Sequence, residues 1–177
     1  MKKINKKDYW EVEDKGLKTS ELIELMRKEF TVYFYGEENI DKNFPVPREN
    51  TVRYFHKTEE SDSEWKGKSR NDMEGKPLMT LREYIILFMA YHKETGKYLD
   101  EKGWTIFSDR LSSGEVASGR WRPIRREVSF IWGGADLRDS SSGARVAISL
   151  DSSSSNPSLS DAMKQVRDAG YLISKPI

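Results

Sequence analysis

Cysteine is absent from this 177-residue chain, which rules out disulfides, thiolate nucleophiles and every cysteine-based zinc site. Histidine is scarce as well. Neither His56 nor His92 lies in an HxxxH spacing, so both read as structural or surface residues. Without a Gly-x-Ser-x-Gly elbow, the abundant serine supports no serine triad. No apolar run approaches the roughly 20 residues that span a bilayer. The opening MKKINKKDYW is basic but leads into no apolar segment of the signal-peptide kind. No membrane partner is expected, and the expected location is the cytoplasm. A net charge of +1 removes any global pull toward nucleic acid or membrane, so a preference must come from local segregation of charge.

Phosphate-loop signals are missing too. Gly133-Gly134-Ala135-Asp136 and Ser140–Gly143 lead into no Gly-Lys-Ser/Thr helix and fit no GxGxxG pattern, so they read as turns. The triplets Glu13-Asp14-Lys15, Glu64-Trp65-Lys66 and Glu74-Gly75-Lys76 have the Glu-x-Lys form of metal-dependent nucleases, but none falls on a convincing strand. No internal repeat occurs.

What is present is a chain 36% hydrophobic and 33% charged, with five Trp and eight Tyr, an aromatic content that argues against wholesale disorder. The length suits a single domain over 1–177, by a prior of about 100–200 residues per domain. It divides into a helix and strand section (8–79), a core helix with a sheet (80–150), and a hinge with a last helix (151–177).

The segment Thr80–Gly96, TLREYIILFMAYHKETG, organises the rest. Thr80 and Glu83 have capping-box spacing, and Gly96 suits a left-handed stop. Apolar residues from Tyr84 to Tyr91 leave no polar stripe, so a helix over 80–95 must be covered on several sides. Upstream, Leu22, Ile23, Leu25, Met26 and Phe30 predict a helix over 20–29, capped by Thr19 or Ser20 with Leu17 as staple. Thr31–Tyr35 and Thr51–Phe55 read as strands that could pair with each other. Between them, Phe44 and Val46 would pin the connection. Residues 56–79, acidic then basic, read as a short helix or a mobile loop anchored by Trp65.

From Gly103 to Met163 every Lys/Arg position is arginine. Trp104–Phe107, Val116–Arg122, Glu127–Trp132 and Arg145–Leu150 read as strands, and Pro123-Ile124-Arg125 as a hairpin turn. The expected fold is therefore α+β, a small antiparallel sheet over about 103–150 packed on the central helix, with an N-terminal helix and short strands. Asp151–Asn156 reads as a hinge before a short C-terminal helix from Ser158 to Ala169.

One group suggests function. Arg110, Arg120, Arg122, Arg125 and Arg126 cluster with Trp121 around the predicted hairpin, opposed locally by Asp109 and Glu115. Arginine offers a planar fork of donors that binds phosphate bidentately, and an interleaved ring can stack on a base. The structural alternative is that these arginines solvate a sheet face and discourage edge pairing. The leading expectation is a non-catalytic binding module using this hairpin, with nucleic acid favoured over protein. An assembly protein, with homo-oligomers as its form, is the alternative, since Arg and Trp are also enriched at protein–protein hot spots. A metal-dependent hydrolase ranks third. No catalytic residue, metal ligand or cofactor is assigned.

Overall fold

The computed structural model describes residues 6–36 and 38–148. Its organising helix, α3 (Leu81–Thr95), has the expected caps. Thr80 Oγ1 accepts from the Glu83 amide at 3.1 Å, and Glu83 Oε2 accepts from the Thr80 amide at 2.8 Å. Gly96 closes the helix at φ 69°, a conformation that costs a residue without Cβ little. Leu81, Tyr84, Ile85, Leu87, Phe88 and Tyr91 are buried, Ile86 and Met89 partly so, and Ala90 is exposed.

Three layers supply that cover. One is a five-stranded sheet, reached through β4 (Trp104–Arg110) and β5 (Val116–Arg122). The second is α1 (Thr19–Arg27), and the third is a two-stranded sheet of β1 (Tyr9–Asp14) and β3 (Thr51–His56). A shared core runs through all three, from Trp10 and Val12 to Val128 and Phe130.

The large sheet has the order β2-β6-β5-β4-β7, with β2 at Thr31–Phe34, β6 at Glu127–Gly133 and β7 at Ser142–Gly143. β5 and β6 form the predicted antiparallel hairpin, in register from Val116↔Gly133 to Arg122↔Glu127. β4 joins β5 antiparallel, with a bulge between Ile106 and Arg110.

The sheet is nevertheless mixed, and it is not confined to 103–150. β2 lies parallel to β6, and β7 lies parallel to β4. The expected pairing of 31–35 with 51–55 does not form, because β3 pairs antiparallel with β1 from Tyr9↔His56 to Asp14↔Thr51. Side-chain cover accounts for both choices. In β1, Trp10, Val12 and Asp14 turn inward, and the Trp10 ring meets Tyr91 of α3 edge-on at 5.8 Å. In β2, Phe34 packs on Phe130 at 5.2 Å and Trp132 at 5.3 Å.

Smaller corrections follow the same rule. In α1 the buried face is Thr19, Leu22, Ile23 and Met26, leaving Leu25 and Leu17 exposed. Lys18 is the cap residue, its amide held by Glu21 Oε2 at 2.7 Å. The four-residue helix α2 (Ile40–Asn43) precedes Phe44, whose ring stacks on Trp132 at 5.2 Å, while Val46 stays exposed. Within 56–79, two single 3₁₀ turns, Ser63–Trp65 and Asn71–Met73, lay Met73 and Leu78 over Ile106 and Val116 on the outer sheet face. The predicted strand from Arg145 is reduced, as far as residue 148, to isolated bridges of Val146 with Leu78 and Ile148 with Tyr54. The expected hinge and C-terminal helix lie outside the described residues.

Candidate functional site

Alternation along β5 decides where the predicted site residues point. Ala117, Gly119 and Trp121 turn inward to α3, which leaves Ser118, Arg120 and Arg122 on the outer face. Gly119 is required by that packing, since a Cβ there would lie 2.8 Å from Phe107 and 3.0 Å from Phe130. Trp121 is only 6% exposed. Its ring stacks on Tyr98 at 3.9 Å and 3°, and Tyr98 stacks in turn on His92 at 4.6 Å. Trp121 is a core residue with no face to offer a base.

The arginines divide into two groups. Arg110 leaves β4 beyond the bulge, opposite Val116, at the end of β5 away from the hairpin turn. Six residue steps along the strand separate those ends, roughly 20 Å at the rise of a strand. Arg110 is also engaged, donating to Asn71 Oδ1 at 3.0 Å and Glu74 Oε2 at 3.3 Å, a carboxylate it shares with Arg70.

Arg122, Arg125 and Arg126 do group at the turn end of the hairpin, the first two on Glu127 and the last two along one cleft, whereas Arg120 sits apart on the outer face. Arg120 lies flat on the outer face, its guanidinium 5.4 Å above the Trp104 ring. It donates to the carbonyls of Glu101 and Trp121 and lies close enough to Asp139 for its charge to act on that carboxylate. Arg122 and Arg125 face the same Glu127 oxygen at 3.6 and 3.8 Å. Those distances are too long for a good hydrogen bond, so most of their donors remain available. Arg126 enters no ion pair among the described residues. With Arg125 it borders a cleft of about 350 Å³ whose other walls are Glu29, Phe30, Thr31, Tyr98 and Trp121.

Two residues that the sequence placed on a strand and in a turn, but not in the site, belong here. Trp104 supplies the ring on the arginine face, lying beside Arg120, whereas Trp121, expected to stack on a base, is buried. Reading β4 with Phe107 inward would have placed Trp104 outward, but Ile106 and Phe107 are both apolar and the register is ambiguous from sequence. Ile124, at the turn, is 100% exposed.

A second cleft, of about 560 Å³, brings His56, Asp62, Glu64 and Lys76 to one wall of the 56–79 segment. Burial pushes the Asp62 carboxyl above the ordinary range, against the opposing hydrogen bond from the Val146 amide. Among the described residues no group of three or more His, Asp or Glu could hold a metal ion, and no helix is long and apolar enough to cross a membrane. Comparison with known proteins assigns no relative: no protein-family model matches the chain, and neither a curated protein nor a solved structure matches it.

Proposed function

We propose that this chain is a non-catalytic binding module that grips the phosphate backbone of a nucleic acid with the turn end of the β5–β6 hairpin. The supporting observation is the grouping there of Arg122, Arg125 and Arg126, with Glu127 the carboxylate facing two of them, and Arg120 on the adjoining outer face. The forks of Arg122, Arg125 and Arg126, which hold no close partner among the described residues, are suited to bidentate phosphate contacts, while Arg120 is already engaged by two carbonyls. The stacking part of the sequence expectation loses its support. Trp121 is buried, and the Trp104 face is already covered by Arg120. What remains is recognition of the backbone rather than of splayed bases, which a duplex satisfies as well as a single strand.

Fluorescence anisotropy with labelled single- and double-stranded DNA and RNA, across a salt series, tests this reading. The Arg120→Ala, Arg122→Ala, Arg126→Ala triple variant should bind more weakly and with a shallower salt dependence, by up to about 0.9 in log–log slope per lost phosphate contact on duplex. Absence of binding to every one of these probes at low salt would reject it.

A protein partner is the second reading, on a separate observation. β2 ends the sheet order, so among the described residues its outer edge is unpaired, and Tyr33 and Tyr35 are exposed beside it. Such an edge can accept a strand from another chain. Assembly through it would appear in mass photometry as a concentration-dependent oligomer abolished by Tyr33→Lys.

A further inference from the structure

Ile124 stands out from the basic surface around it. It is fully exposed, between Pro123 and the pair Arg125 and Arg126, at the apex of the hairpin. The turn that carries it is well defined. The Arg125 amide donates to the Arg122 carbonyl at 3.1 Å and the Arg126 amide to the Pro123 carbonyl at 3.2 Å. Proline restricts the backbone on one side of Ile124. On the other, Arg126 adopts φ 54°, a left-handed conformation that glycine or asparagine takes more cheaply. An arginine there, where a type I hairpin turn commonly ends left-handed, places one more cation beside the apolar tip.

A turn that carries one exposed apolar side chain between Arg122 on one side and Arg125 and Arg126 on the other matches a surface with phosphates outside and an apolar interior within reach. A nucleic-acid groove has that form, with phosphates along both walls and stacked bases at the floor. We infer that the hairpin enters the minor groove of duplex DNA and that Ile124 wedges against a base step, kinking the duplex while Arg122, Arg125 and Arg126 hold the flanking phosphates. Apolar wedges on minor-groove proteins unstack and bend DNA in this way. An anionic bilayer offers the same charge pattern but fits less well. Stable attachment to a membrane takes more than one apolar anchor, whereas one wedge suffices to unstack one step. The inference rests on the nucleic-acid reading above and adds the form of the ligand and the deformation.

The test uses a short duplex carrying 2-aminopurine beside a central TA step, a step that kinks easily, with a donor and acceptor dye at its ends. Wild-type protein should raise the 2-aminopurine fluorescence and the end-to-end energy transfer. Ile124→Ala should lose both signals while its affinity falls less than about tenfold and its salt slope is unchanged, since it removes no phosphate contact. Ile124 is wholly exposed, so the variant is expected to fold, and an unchanged thermal melt verifies this. Binding without bending by the wild type, or equal bending by Ile124→Ala, overturns the wedge and leaves phosphate binding standing. Failure to bind this duplex, with or without binding to phosphatidylserine vesicles, overturns the wedge; failure on single strands and RNA as well removes the nucleic-acid reading.

Discussion

Arg82 and Asp14 show how much of this fold rests on charges placed out of water. Each residue is 3% exposed. Arg82 donates through Nε to Asp14 Oδ2 and through Nη2 to Asp14 Oδ1, both at 2.7 Å, and also to Thr19 Oγ1 and the Leu17 carbonyl. One guanidinium thus ties the end of β1 to the starts of α1 and α3. Burial pushes the Asp14 carboxyl up, but the Arg82 hydrogen bond, the Gly16 amide and the ion pair together leave it below the ordinary range. Asp14→Ala strands a buried cation and should cost about 3–5 kcal/mol in urea unfolding. Asp14→Leu combined with Arg82→Met should recover most of that loss, and a double variant no better than the single would contradict this account. Asp109 titrates with the opposite sign. Its Oδ2 accepts from the Leu81 amide at 2.7 Å, yet burial raises its carboxyl to about 6. A folded-state value above the unfolded one contributes stability that is fully present below about pH 4 and is lost as pH rises through about 6. Asp109→Asn keeps an acceptor for Leu81 and never ionises. Relative to wild type it should gain on the order of 2 kcal/mol between pH 4 and 7.5. Parallel stability curves would show that the buried carboxylate carries no such penalty.

At the scale of the element, α3 and the β5–β6 hairpin were legible because their signals are local. A capping box spans four residues, and a hairpin is set by two alternating runs with a turn between them. Thr80→Ala should cost about 1 kcal/mol, read as a lower urea midpoint at unchanged slope. The same helix also held something its apolar run concealed. Glu83, besides capping, accepts from Arg53 Nη1 at 3.0 Å, so the polar first turn of α3 is buried alongside the apolar part. A Leu-Arg-Glu start reads as an exposed first turn until the elements that cover it are known. In β5, Gly119→Ala drives a methyl into Phe107 and Phe130 and should cost about 1–3 kcal/mol. Phe107→Leu, made in that background, should be less damaging than in wild type because it makes room for the methyl.

For the molecule as a whole, a net charge of +1 conceals an uneven surface. If binding depends on where the charge sits, two variants of equal net charge should behave differently. Arg122→Glu with Arg126→Glu should abolish low-salt binding to DNA, whereas Lys42→Glu with Lys68→Glu, exposed positions on α2 and the 56–79 segment, should leave it nearly intact. Equal losses in an anisotropy titration would instead indicate diffuse electrostatics. The candidate site was half legible at this scale. The arginines around one turn, Arg122, Arg125 and Arg126, stay together because a hairpin keeps sequence neighbours adjacent. Arg110 separates because β4 runs antiparallel to β5 and carries it to the other end of the sheet.

The sequence by itself determined the elements whose cause lies within a dozen residues: the caps and core-forming run of α3, the inward face of α1 apart from Leu25, and the turn and alternation of the arginine hairpin. It also determined that Trp121 opposes Arg120 and Arg122, since successive side chains on a strand face opposite ways. Only the tertiary structure decided what each face meets. It placed Trp121 against Tyr98 and left Trp104 beside Arg120, it paired β3 with β1 and β2 with β6, and it buried Arg82 against Asp14. Strand partners and buried ion pairs are chosen by competition among distant segments for cover, and that free energy depends on the whole packed arrangement rather than on any local pattern.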